Sequence, residues 1–187
     1  MGDTFPTPAP VLETGGLVLR GLSVGDFPDV FAYASDPEVA RFTLWPRHES
    51  EEQTRDFLRM LTGPAILGWA VVATGSPAVV GMVFLHSLSR HHRRAEIAFN
   101  VARSHWGRGL AGEASRLVLG YAFAQLGLNR VEATCMPGNA RSLRVLEKLG
   151  MTHEGRLRRS HFRHDGFHDM ELFSILRGES GAGRPTA

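Results

Sequence analysis

The chain has a single cysteine, Cys135, in 187 residues. A lone thiol excludes an intramolecular disulfide and fits a reducing cytosol. Lysine is almost missing as well. Lys148 is the only one, and arginine makes up twenty of the 21 basic residues. The formal net charge of +2 implies no polyanionic partner. With no basic-aromatic motif either, a nucleic-acid binder is not expected. No apolar run reaches the ~18 residues of a transmembrane helix. The N-terminus lacks the basic-then-apolar order of a signal peptide. No internal repeat is visible.

What is present is ordinary for a globular protein, with 43% hydrophobic and 21% charged residues. The length suits one domain, expected over residues 11–178. Residues 1–10, with three prolines, and the polar residues 179–187 are expected to be flexible termini. Leu17–Arg20 reads as a first strand. Asp26 is an expected N-cap for a helix to about Tyr33, and Asp36-Pro37 opens a short helical segment toward Phe42. Ser50, with Gln53 as capping-box partner, starts a helix that carries Phe57, Leu58 and Leu61. Leu67–Ala73 and Val79–His86 flank the turn Thr74–Pro77, and Ala95–Val101 follows a basic turn, so an antiparallel half-sheet is expected. Apolar residues at helical spacing run from Leu110 to about Gln125. Arg130–Cys135 is then expected to return beside Ala95–Val101 as a parallel neighbour. Asn139 caps a helix with Leu143, Leu146 and Leu149 on its apolar face. Thr152–Ser160 and Asp169–Leu176 are the last two strands expected. An exposed final strand would offer a surface for pairing with a second copy.

The stretch Asn100–Ala114, NVARSHWGRGLAGEA, is a strand, a glycine turn and a helix start in one run. Unpaired N–H groups and the dipole of a first helical turn favour phosphate oxygens. Gly107 and Gly109 leave room for close approach, and Arg108 adds charge. No Gly-Lys-Ser/Thr follows, so this is not a Walker loop, and GxGxxG does not fit. The residues alone leave two readings open, a phosphate cradle or an ordinary tight turn.

Two segments resemble one family. WGRGLAGEA at Trp106–Ala114 and NARSLRVLEKLGM at Asn139–Met151 are similar to the two acetyl-coenzyme A motifs of the GNAT N-acetyltransferases, most of all the RimJ/RimL-like branch that acetylates ribosomal-protein N-termini. The resemblance implies an α/β (α+β) fold, with a central mixed, mostly antiparallel sheet of about seven strands, splayed in the middle and flanked by helices. It implies that acetyl-coenzyme A is the co-substrate, with no metal. Trp106, Gly107, Arg108, Gly109, Leu110 and Ala111 would take its pyrophosphate, Trp106 standing where the family usually has Gln or Arg. Phe99, Asn100 and Val101 would pair with the pantetheine arm as a strand would. Asn139 would contact the same arm, or serve as a plain helix cap.

The family transfers acetyl directly, so Cys135 is not needed as a nucleophile. Its common general acid is a Tyr at the position held here by Leu146, and neither Tyr33 nor Tyr121 matches. Ser142 falls where the Rim-type branch has a Ser beside the sulfur, or is an ordinary serine at a helix start. His161 falls where that branch has a carboxylate base, and imidazole suits the task at neutral pH; a solvated strand histidine is the rival role. Glu96 is the second candidate base, with an ion pair to Arg93 or Arg94 as its rival role. His161, His164 and His168 would align as metal ligands only on a helix, and the segment reads as strand, turn, strand. Asp169 is expected to support the turn structurally.

The acceptor is expected to be a primary amine. Deprotonating an α-amine at neutral pH costs about 1 kcal/mol, against ~5 kcal/mol for a Lys amine. A site with one weak base therefore favours an N-terminal α-amine of a protein or peptide. Polyamines, amino acids and antibiotics stay open as acceptors, as does a non-catalytic coenzyme A-binding role. Phe42, Trp45 and His48 are expected either to line the acceptor pocket or to serve in the core. A cytoplasmic location is expected.

Overall fold

The computed structural model describes residues 5–163 and 165–179. Among these, eight strands form one sheet: β1 (Leu12–Glu13), β2 (Leu17–Gly21), β3 (Leu67–Ala73), β4 (Val79–Ser89), β5 (Arg94–Val101), β6 (Arg130–Cys135), β7 (Thr152–Arg163) and β8 (Gly166–Leu176). Their order is β1-β2-β3-β4-β5-β6-β8-β7. Only the β5–β6 pair is parallel. The helices are α1 (Phe27–Ala34), α2 (Pro37–Ala40), α3 (Glu51–Leu61), α4 (Leu110–Ala124) and α5 (Ala140–Lys148). The strand–α4–strand crossover supplies the parallel pair, because only a long connection returns a chain in the same direction.

Both faces of the middle of the sheet are covered. On one, Trp69, Val83, Leu85 and Ile97 pack with Ala114, Val118 and Ala122 of α4. On the other, Ala70, Val79 and Met82 pack with Val30 of α1 and Leu58 and Leu61 of α3. Burial on two sides explains why β3 and β4 read as nearly continuous apolar runs rather than alternating ones.

The structure corrects several local expectations. Asp26 does not cap α1. Its carboxylate takes Arg20 at 2.7 Å and the Ser23 N–H, while Ser23 caps a short 3-10 turn ahead of the helix. Gln53 reaches back to the N–H of Glu49, not to that of Ser50. The lead-in is docked where it is described: Phe5 is buried, and the Trp69 indole donates to the Pro10 carbonyl at 2.8 Å. Residues 1–4, 180–187 and His164 lie outside the described residues. The final strand is not an edge. β8 lies between β6 and β7, which removes the surface expected to pair with a second copy. The outer strand is β7, irregular at Gly155 and Arg159 and carrying Arg156, Arg158 and Arg159. Bulges and like charges of this kind discourage edge-to-edge pairing.

Candidate active site

The β5–β6 ladder joins only Arg94, Ala95 and Glu96 to Arg130, Val131 and Glu132. Beyond Glu96 the strands part, because each keeps its outer neighbour. β6 follows β8 through Cys135, which pairs with Glu171. β5 follows β4 through Val101, and the Ala102 N–H donates to the Val80 carbonyl at 2.8 Å. Gly81 allows the close approach, since a Cβ there would overlap the Asn100 carbonyl oxygen. Alternation then turns the main-chain groups of Phe99 and Val101 toward the edge that β6 has left. The Trp106 indole donates to the Val101 carbonyl at 2.8 Å and fixes the strand's end.

A groove of about 630 Å³ opens at this fork. At one end lies the glycine turn. Gly107 and Gly109 have φ of +78° and +82°, left-handed values that favour glycine. Among the described residues, the N–H groups of Gly107 through Gly112 have no acceptor in the protein. The Trp106 N–H does have one, the Arg103 carbonyl at 3.1 Å, so the row of free donors begins at Gly107. The Arg108 side chain is exposed and stays off the groove wall. Cations that sequence reasoning did not single out stand there instead: Arg116 on α4, and Arg141, Arg144 and Lys148 along α5. Arg141 also stacks over the Trp106 ring at 4.2 Å. Their spacing of three and four on α5 was the available signal.

Midway along the groove, the Asn139 side chain caps α5 by accepting the Ser142 N–H at 3.2 Å. The Ser142 hydroxyl lies against the Cys135 thiol, and burial pushes that thiol up to about 11. A thiol held protonated at neutral pH is a poor nucleophile. Leu146 is buried beneath them. Asn100 Oδ1 is buried with no hydrogen-bond partner.

At the fork itself, Thr134 Oγ1 donates to Glu96 Oε1 at 2.8 Å. Arg94 pairs with Glu132 at 3.2 Å, not with Glu96, and among the described residues Glu96 has no ion pair. His161, on β7, faces the same groove, its Nδ1 3.0 Å from Ser160 Oγ. Sequence reasoning missed a third polar group. His86 on β4 is the register partner of Glu96. Burial holds its imidazole below the ordinary histidine value; the Glu96 carboxylate opposes that shift and His161 adds to it. The alternation Phe84, His86 on β4 was the signal for it.

The far end is walled by Phe42, Trp45 and Phe84, with Glu38 at the rim. His48 is not a lining residue. It is buried behind Trp45, ring centroids 5.0 Å apart, with Nδ1 2.9 Å from Thr54 Oγ1 of α3. Asp169 accepts the Arg159 N–H at 2.8 Å and so supports the β7 bulge rather than the turn. His161 and His168 face each other as a register pair across β7 and β8.

Residues 16–152 match the family model described as an acetyltransferase (GNAT) domain. The chain is 32% identical over 172 residues to "Uncharacterized N-acetyltransferase YoaA" of Bacillus subtilis (strain 168), covering 90% of this chain and 97% of that one. Among solved structures, an acetyltransferase (GNAT family) from Bacillus anthracis superposes with a TM-score of 0.82 at 28% identity, over 91% of this chain and 100% of the other. Two more distant structures share the fold. Spermidine N-acetyltransferase from Vibrio cholerae, in complex with CoA and spermine, gives 0.77 at 22% identity over 89% and 98% of the two chains. Ribosomal-protein-S5-alanine acetyltransferase from Vibrio fischeri gives 0.78 at 18% identity over 94% and 100%. With the forked sheet, the free amides and this match in hand, the chain belongs to the GNAT acetyltransferase family and is an N-acetyltransferase.

Proposed function

We propose that this enzyme transfers acetyl from acetyl-coenzyme A directly to a primary amine, and that the amine is the N-terminal α-amine of a protein or peptide, as in ribosomal-protein acetylation. The observation that carries the cofactor reading is the row of unclaimed amides from Gly107 to Gly112 at the open end of the fork. Such donors suit a diphosphate. Arg141, Arg144 and Lys148 add the charge that draws phosphate in. The free edge of Phe99 to Val101 suits the amides of the pantetheine arm, and the buried, unmet Asn100 Oδ1 offers it an acceptor. Asn139, engaged as a cap, holds the start of α5 against that arm.

The residues then divide the chemistry. Glu96 draws in the ammonium, and with His161 it forms the proton-accepting wall. The Ser142 hydroxyl donates to the departing sulfur, in place of the phenol that Leu146 does not supply. Cys135 takes no part as a nucleophile.

The acceptor end favours a single amine on an apolar body. Its walls are aromatic, and the lining carboxylates are Glu38 and Glu96. A polyamine with several ammonium groups would leave some of them unpaired against Phe42, Trp45 and Phe84. The relation in fold to a spermidine enzyme makes spermidine the comparison substrate. The reading places the enzyme in the cytoplasm, and no helix of the described residues is long and apolar enough to cross a membrane.

Calorimetry with coenzyme A, followed by thiol release from acetyl-coenzyme A with a panel of peptides and with spermidine, tests the proposal. We expect binding, and faster thiol release with peptides. Faster release with spermidine would overturn the acceptor reading. Binding without release by any amine would leave a coenzyme A-binding domain.

A further inference from the structure

The proton-accepting groups at the fork are three, not two, and the third stands on an interior strand. His86 stands on β4, an interior strand, as the last regular partner of β5 before the register shifts between His86 and Ser89. The next residue, Ser87, has φ of +53°, a left-handed value that few non-glycine residues adopt. Its hydroxyl lies 2.9 Å from His86 Nδ1. Bulges and strained residues beside a site re-aim a side chain, and here the strained residue is also the one that holds the ring. In the tautomer whose Nδ1–H donates to Ser87, the one the proposal uses, Nε2 keeps its lone pair for the groove. His161, by contrast, sits on the edge strand next to the bulge at Arg159.

We propose that His86 is a catalytic residue, the group that takes the first proton from the acceptor amine, and that His161 relays this proton to solvent. This rests on the acetyl-transfer reading above and deepens it. The ammonium loses two protons in all. One goes to His86 Nε2 before attack, and leaves by way of His161. The amine nitrogen then bonds to the acetyl carbon as the carbon–sulfur bond breaks. The second proton ends on sulfur, so the products are the amide, the coenzyme A thiol and one proton in solution.

The titratable groups acting on His86 are Glu96 from β5 and His161 from β7. Burial keeps the ring neutral, so it is ready to accept a proton at neutral pH. Its folded value lies below the free one, so the accepting form is lost only as pH falls below about 6.5.

The test compares the whole enzyme with His86→Ala and His86→Gln in steady-state acetyl transfer from pH 5 to 8, with coenzyme A affinity measured in parallel. For His86→Ala, kcat should fall by about 100-fold or more. The acid limb should vanish, coenzyme A affinity should stay within about twofold, and added imidazole should restore part of the rate. A variant within about threefold of wild type, with its acid limb intact, would overturn the proposal. If neither variant folds, NMR titration of the wild-type His86 ring decides. A ring titrating at or above the free histidine value, and unmoved by the amine substrate, would sink it. A wild-type enzyme that acetylates no amine would instead overturn the parent reading, and this one with it.

Discussion

Thr134 reaches across the parting strands to Glu96, with its hydroxyl 2.8 Å from the carboxylate. It bridges β6 and β5 just past their last ladder pair, so one hydrogen bond both orients a polar group and defines where the fork opens. Replacing Thr134 with Val keeps the shape and removes the donor. A hydrogen bond to a charged group contributes about 1.5–3 kcal/mol. We expect kcat to drop by about tenfold, with coenzyme A affinity little changed, as measured by thiol release and calorimetry. A larger loss in affinity than in kcat would mean that Thr134 shapes the cofactor groove instead.

Gly109→Ala tests the phosphate cradle. The new Cβ meets open space, so its cost comes from the left-handed backbone, about 1–2 kcal/mol. Coenzyme A affinity should fall by about tenfold as the free amides turn away, with a small loss of thermal midpoint. Equal affinity for the variant and the wild type would show that the amides bind nothing.

Gly81→Ala acts on the opposite wall. Its Cβ would overlap the Asn100 carbonyl, and backbone cannot yield as a flexible side chain can. Overpacking of this kind costs about 1–3 kcal/mol. Chemical denaturation should show that loss, and coenzyme A should bind more weakly because β5 is pushed into the gap. Full stability would mean that the close approach is dispensable.

The other end of the sheet gives a pH prediction. Arg130 on β6 donates to both carboxylate oxygens of Glu154 on β7, and the Ser174 hydroxyl on β8 donates to the same group. Together, the Arg130 guanidinium first and then Ser174 pull Glu154 down to about 2. Its folded value lies below the unfolded one, so the stabilisation is present above pH ~4.5 and is lost as pH falls toward 2. Solvent screens the pair, and about 1 kcal/mol is expected. Glu154→Gln should therefore melt below the wild type at pH 7, and the gap should close by about pH 2–3. A gap independent of pH would assign the effect to packing.

Much of the fold was legible in the chain because local physics wrote it there. Leu110–Ala124 and Ala140–Lys148 carry helical spacing, and the strands from Leu67 to Val101 carry apolar runs bounded by turn residues. The glycines before Leu110 marked a cradle, and Asn139 marked a cap. Asp26 misled because an acid before a helix looks the same whether it caps the helix or pairs with an arginine on the preceding strand, as it does with Arg20. Gly166–Phe167 belongs to β8 although turn residues precede it, since partners across the hairpin extend the ladder into the turn.

The sequence by itself determined the elements, the glycine turn and the family, since each depends on neighbours within a few residues. Only the tertiary structure decided that β8 lies inside β7, that β5 and β6 part after Glu96, that Arg94 leaves Glu96 for Glu132, and that His86 joins Glu96 and His161. Those outcomes turn on which strand claims which edge. That choice is made by contacts between residues far apart in the chain, and no local pattern carries it.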